Sequence, residues 1–164
     1  MLIRNGCEVF IHINNDFRED WPSFKRILGF EYEVRNLPYE RFIQTDLTDP
    51  YMPLPQKQWK IWLLILPQSM PAKNWACSVP MMTLAGLFER QCIKKGISIP
   101  ETVELIGYDN SPGSNNAILP ITSVDQNISL MAQIAIQSLD NYIPYESMVP
   151  AALIEKETTS RSPL

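Results

Sequence analysis

Asp109 is the side chain whose surroundings best suit it to meet a ligand. It follows the run GISIPETVELIGY, residues 96–108. Gly96 can take the left-handed conformation that stops a helix, and Pro100 prevents the helix from resuming. Val103, Leu105 and Ile106 supply the apolar, β-forming content of an interior strand. Gly107 is expected to let the backbone turn, releasing an acid at a crevice mouth where open α/β sheets bind ligands. The competing use of Asp109 is local: an aspartate ahead of Asn110 and the SPG loop 111–113 commonly caps the turn.

Other reactive side chains are sparse. The chain has one histidine and three cysteines among 164 residues. His12 sits inside an apolar strand and reads as structural. Cys7, Cys77 and Cys92 are widely spaced with no CxxC pair, as suits small core thiols in a reducing compartment. Trp59 and Trp62 stand beside Leu63 at helical spacing, which favours packing over a sugar platform. GxSxG, P-loop, GxGxxG and HExxH motifs are absent from the sequence. A binding protein without enzymatic activity, metal or cofactor is therefore expected.

The elements that must position Asp109 alternate along the chain. Strands are expected at 7–13, 41–45, 74–78, 102–108 and 151–157. Helices are expected at 21–34 (with Asp20 as N-cap and Pro22 in the first turn), 56–66, 80–95 and 127–142. Such alternation predicts an α/β fold with a mostly parallel sheet covered on both faces. One domain fits the length, and a hydrophobic content of 45% against 20% charged residues describes a folded chain. The net charge of −4 disfavours direct binding to a phosphate backbone. No segment is apolar for long enough to read as a signal peptide or a membrane span, so a cytoplasmic location is expected.

Three motifs carry a family resemblance. Residues 96–110 are similar to the "G-x-x-I/V-P-x-x-V-x-V/L-I-G-Y/F-D-D/N" segment of the lac repressor/galactose repressor family of transcription regulators. LPITSVDQ at 119–126 resembles its "P-x-L-T-T/S-V-x-Q", and ALIEKETT at 152–159 its "L-I-x-R-E/K-T/S-T". The resemblance implies a type I periplasmic-binding-protein-like, three-layer α/β sandwich that is incomplete here. Residues 1–6 would be a stub of a preceding lobe and 7–124 the second lobe. Residues 125–148 would be a crossover and helix belonging to the first lobe, and 149–164 the final strand and tail. Ile128, Met131, Ile134, Ala135 and Leu139 would then form a stripe whose covering sheet lies elsewhere. The DNA-binding headpiece of such regulators has no counterpart in this sequence.

The resemblance also implies roles. Arg26, within RILGF, matches the family arginine that bonds effector hydroxyls or carboxylates, and Asp109 matches the family acid; the two are also expected to neutralise each other partly. Ser78 stands near the implied cleft. Val79 and Pro80 replace a polar pair of the family, and Leu47 replaces an aromatic ring, which makes the cleft more apolar than a typical sugar site. Pro22 stands where a small hydroxyl residue is common. Met81, Leu84, Leu87 and Tyr108 are the expected contributors to a homodimer interface. The implied function is effector sensing and dimerisation in a DNA-binding transcription regulator, with a sugar or related metabolite as effector. A periplasmic-type solute-binding protein of the same fold and a truncated, non-functional remnant are the alternatives.

Overall fold

The computed structural model describes residues 1–13, 22–37, 41–44, 74–79, 82–141 and 148–159. Its strands are β1 (Val9–Ile13), β2 (Arg41–Gln44), β3 (Trp75–Ser78), β4 (Val103–Tyr108), β5 (Thr122–Asp125) and β6 (Ala152–Ile154). The helices are α1 (Pro22–Val34), α2 (Met82–Lys94) and α3 (Ile128–Asn141). Apart from β5, which was not among the expected strands because TSVD carries a single apolar residue, they match the expected elements to within a residue or two at most ends, and β6 is shorter than expected. The expected N-cap Asp20, the helix at 56–66, Leu47, Pro80 and Met81 lie outside the described residues.

The sheet order is β2-β1-β3-β4-β5-β6. All pairs are parallel except β5 with β6. Alternation along β1 divides its side chains between two faces. Val9, Ile11 and Ile13 join Trp75, Cys77, Val79, Leu84, Phe88, Leu105 and Ile121 in the larger core, under α2. Phe10 joins Cys7, Val34 and Ala76 on the other face, under α1, with Phe30 packed alongside. Each fully buried Val, Ile or Leu contributes about 1.5–3 kcal/mol relative to exposure. The sheet is thus anchored from both sides. All three cysteines are reduced and buried, and burial pushes the Cys92 thiol up to about 12, with help from the nearby Glu89 carboxylate.

Gly96 ends α2 as anticipated. Its φ is +70°, Gly96 N–H donates to Ile93 O (3.0 Å), and Ile97 N–H donates to Cys92 O (2.9 Å). These two bonds are the signature of a Schellman cap. The same pair recurs at the chain start, where Gly6 has φ +79°. There Gly6 N–H donates to Ile3 O and Cys7 N–H to Leu2 O, each at 3.1 Å.

Gly107 behaves otherwise than expected. It stays in strand geometry, while the chain turns at Asp109 (φ 80°) and Asn110 (φ 43°). The need for glycine is steric instead: a Cβ at 107 would lie 2.7 Å from Met82 Cε and 3.4 Å from Ile121 Cγ2. Asp and Asn tolerate positive φ better than other non-glycine residues, which is why the turn falls on them.

Helix α3 is the exception to this packing. None of its described side chains is buried. Ile128 (59%), Met131 (47%), Ile136 (61%) and Leu139 (76%) stand in solvent. No helix among the described residues is long and apolar enough to cross a membrane.

Candidate functional site

Four parallel strands end side by side, and a cavity of about 470 Å³ opens at those C-terminal ends. His12 contributes from β1, Ser78 from β3, Gly107 and Tyr108 from β4, and Val124 and Gln126 from the end of β5. Helix α1 closes one side with Lys25, Arg26, Gly29 and Phe30. The placement follows from topology, since side chains at the carboxyl edge of a parallel sheet converge on one crevice.

Arg26 and Asp109, 83 residues apart in sequence, meet here. Arg26 Nη2 lies 3.9 Å from Asp109 Oδ1, with the side chains 22% and 40% exposed. The Arg26 guanidinium carbon sits 3.6 Å from the Tyr108 ring centroid, a cation–π stack that orients the guanidinium plane. Gln126 Nε2 donates to the same Asp109 Oδ1. Asp109 does not itself line the cavity, but its partners Arg26 and Gln126 both do. A forked cationic donor in the cavity wall, paired with a carboxylate behind it, can hold a ligand's polar edge.

The turn beyond Asp109 is held by its neighbour. Asn110 N–H donates to Ser123 Oγ (2.9 Å) and Asn110 Nδ2 to Asp125 Oδ2 (3.0 Å). Lys156 Nζ donates to Asn110 Oδ1 (2.8 Å) and to Ser114 Oγ (2.6 Å). The bond from Asn110, then the backbone N–H of Asn127 and the Lys156 charge, holds the Asp125 carboxyl below its usual range. The capping work considered for Asp109 is therefore done by Asn110, which fixes the strained turn that presents the acid.

Other expected site residues divide between the cavity and elsewhere. Ser78 lines the cavity. Val79 does not: it is 1% exposed and packs in the core under α2, because strand alternation turns it to the opposite face from Ser78. Leu47 falls outside the described residues.

The expected dimer surface needs correction. Leu84 is 4% exposed and belongs to the core. Leu87 packs partly against the same core. Tyr108 lies on β4, which is flanked by β3 and β5 and so offers no free strand edge; its ring is engaged by Arg26. Met81 is outside the described residues. The solvent face of α2 is instead Thr83, Arg90, Ile93 and Lys94.

Residue-level reading passed over Gln126 and gave His12 a structural role alone. Gln126 lay in plain view within LPITSVDQ, but only the turn at 109–110 brings it to Asp109. His12 was expected to be structural. It is 2% exposed, it lines the cavity, and neither ring nitrogen has a hydrogen-bond partner among the described residues. Burial, and secondarily the Arg26 charge, lowers its pKa to about 4.

Known proteins share this architecture. The probable maltose operon transcriptional repressor of Staphylococcus aureus superposes with a TM-score of 0.78 at 18% identity, covering 98% of this chain and 57% of that one. A lac repressor dimer bound to operator and the anti-inducer ONPF gives 0.74 at 16% identity, covering 96% and 47%. A periplasmic binding protein/LacI transcriptional regulator from Alkaliphilus metalliredigens, complexed with D-xylulofuranose, gives 0.75 at 23% identity, covering 98% and 60%. The chain thus spans less than two thirds of each of these structures. No curated protein is significantly similar in sequence. A sequence profile of the periplasmic binding protein-like domain matches residues 1–159. With strand-end cavity, parallel sheet and profile in agreement, the chain belongs to the periplasmic binding protein-like domain family.

Proposed function

We propose that this chain is the effector-sensing region of a lac repressor-type transcription regulator, a non-enzymatic binding module of the cytoplasm. The observation that carries the reading is the pairing of Asp109 with Arg26, which lines a cavity on the carboxyl edge of the sheet. A small polar molecule held there bridges this lobe to a facing one. Binding energy that differs between open and closed lobes then changes the DNA affinity of a headpiece through linkage.

Helix α3 supports the same reading. Its stripe of exposed Ile128, Met131 and Leu139 has no cover among the described residues, as expected of a helix that packs on another lobe. Each such side chain left in water forgoes about 1.5–3 kcal/mol. A homodimer of the regulator would use the outer face of α2, and a twofold axis would bring that patch against itself.

The test is thermal unfolding of the chain with sugars, sugar phosphates and nucleosides. One ligand class is expected to raise the melting temperature in a concentration-dependent way. Arg26→Ala and Asp109→Ala should each abolish that rise. A ligand response that survives both substitutions refutes the site, and turnover of the ligand refutes the non-enzymatic reading.

A further inference from the structure

One side chain in the cavity takes no part in the arrangement around Arg26. His12 is the chain's single histidine. Its register partner on β3 is Ser78, and the two adjoin on the sheet face that lines the cavity. The ring rests against Phe30, with centroids 5.1 Å apart and planes tilted by 33°. That contact fixes the imidazole but satisfies none of its polar atoms, and both Nδ1 and Nε2 are buried without a partner among the described residues. Buried polar groups are paired in the great majority of cases, because an unmade bond forfeits the hydration that burial removed. A histidine held for packing alone would be expected to spend at least one nitrogen on the protein.

The chemistry of the missing partner is constrained. Burial keeps the ring uncharged at neutral pH, so it offers one N–H donor and one bare nitrogen acceptor. A hydroxyl group both donates and accepts and therefore suits either nitrogen. A carboxylate can accept from the ring N–H but brings no donor to the bare nitrogen, so it suits one tautomer only, and an ammonium meets the repulsion of Arg26 on the same cavity wall. We propose that His12 contacts the effector and sets its specificity, its imidazole hydrogen-bonding a hydroxyl of an uncharged, polyhydroxylated ligand seated in this cavity. The assignment rests on the sensor reading above and gives that site a recognition element besides Arg26 and Asp109.

The experiment uses the whole 164-residue chain and has two readouts. In the first, D-xylulose, D-xylose and xylitol are titrated while the imidazole resonances are followed by NMR; a single histidine makes the assignment unambiguous. At least one probe should shift them saturably. Its affinity should fall about tenfold in His12→Leu and less in His12→Gln, which keeps a hydrogen-bonding side chain. In the second, His12→Leu without ligand should raise the melting temperature by about 2–6 °C, because an apolar side chain replaces an unsatisfied one. A histidine kept for structure would give the opposite sign. A melting temperature that falls in His12→Leu overturns the proposal. So does probe binding that is lost in Arg26→Ala yet unchanged in His12→Leu, and that outcome leaves the sensor reading standing. Failure of all three probes to bind the wild-type chain overturns the ligand class proposed for His12, and binding of another class in the wider ligand panel would then still uphold the sensor.

Discussion

Acidification should destabilise this protein through His12 before its carboxylates titrate fully. The imidazole has an ordinary value of 6.5 when the chain is unfolded and about 4 when folded, chiefly because burial disfavours its charged form and secondarily because Arg26 lies near. Between those values the unfolded chain binds a proton that the folded chain refuses. Stability therefore falls as pH drops from 6.5 to 4, and below 4 this group adds no further loss. Each pH unit in that window removes about 1.4 kcal/mol, so the full descent costs about 3 kcal/mol. That is a large part of the 5–15 kcal/mol typical of a domain. Urea unfolding at pH 7, 6, 5 and 4.5 measures it, with His12→Leu as the control. Carboxylate contributions are common to both proteins, so the difference between the two curves isolates the histidine. The wild type should lose about 2–3 kcal/mol more than the variant between pH 7 and 4.5. Parallel curves would refute the argument, and so would an NMR titration placing the folded imidazole near 6.5.

Three further predictions follow from packing. Thr158→Val should cost about 2–3 kcal/mol by urea unfolding, because the buried Thr158 Oγ1 donates to Leu105 O (2.7 Å) and accepts from Thr122 N–H (2.9 Å). Gly107→Ala should cost about 1 kcal/mol, since the flexible end of Met82 can move away from the new methyl while Ile121 Cγ2 at 3.4 Å gives little; thermal unfolding checks it. Replacing both Ile136 and Leu139 by lysine should change stability by less than about 0.5 kcal/mol, these side chains being 61% and 76% exposed. The same pair should reduce concentration-dependent self-association in light scattering, and unchanged association would place the sticky surface elsewhere.

Much of the architecture was legible in local patterns. The periods of apolar residues placed every described helix and every described strand except β5, whose TSVD holds a single apolar side chain, and Gly96 with Pro100 marked the end of α2, because caps and periodicity are short-range physics. Asp109 was legible as an acid at the end of an apolar strand, but Arg26 only through its family motif; nothing in the composition around Arg26 distinguishes it from any other helix arginine. The apolar stripe of α3 was legible as well, and with it the expectation that its cover lies beyond the second lobe.

The tertiary structure decided what depends on strand order and side-chain direction. The order β1-β3-β4-β5 gathers His12, Ser78, Tyr108 and Gln126 at one edge, and no local pattern encodes which strands become neighbours. It also encloses β4, which removes Tyr108 from any dimer edge. Alternation sends Val79 into the core and Ser78 into the cavity, although they are adjacent in sequence. The link from Lys156 to Asn110, which relieves Asp109 of capping its own turn, spans a separation that only the folded chain closes. By itself the sequence determined the elements and their caps, because these depend on residues within a turn or two of one another. The tertiary structure alone decided that a histidine of ordinary appearance lies in the cavity wall with no hydrogen-bond partner among the described residues, because the burial of a side chain and the partners left to it are properties of the assembled sheet.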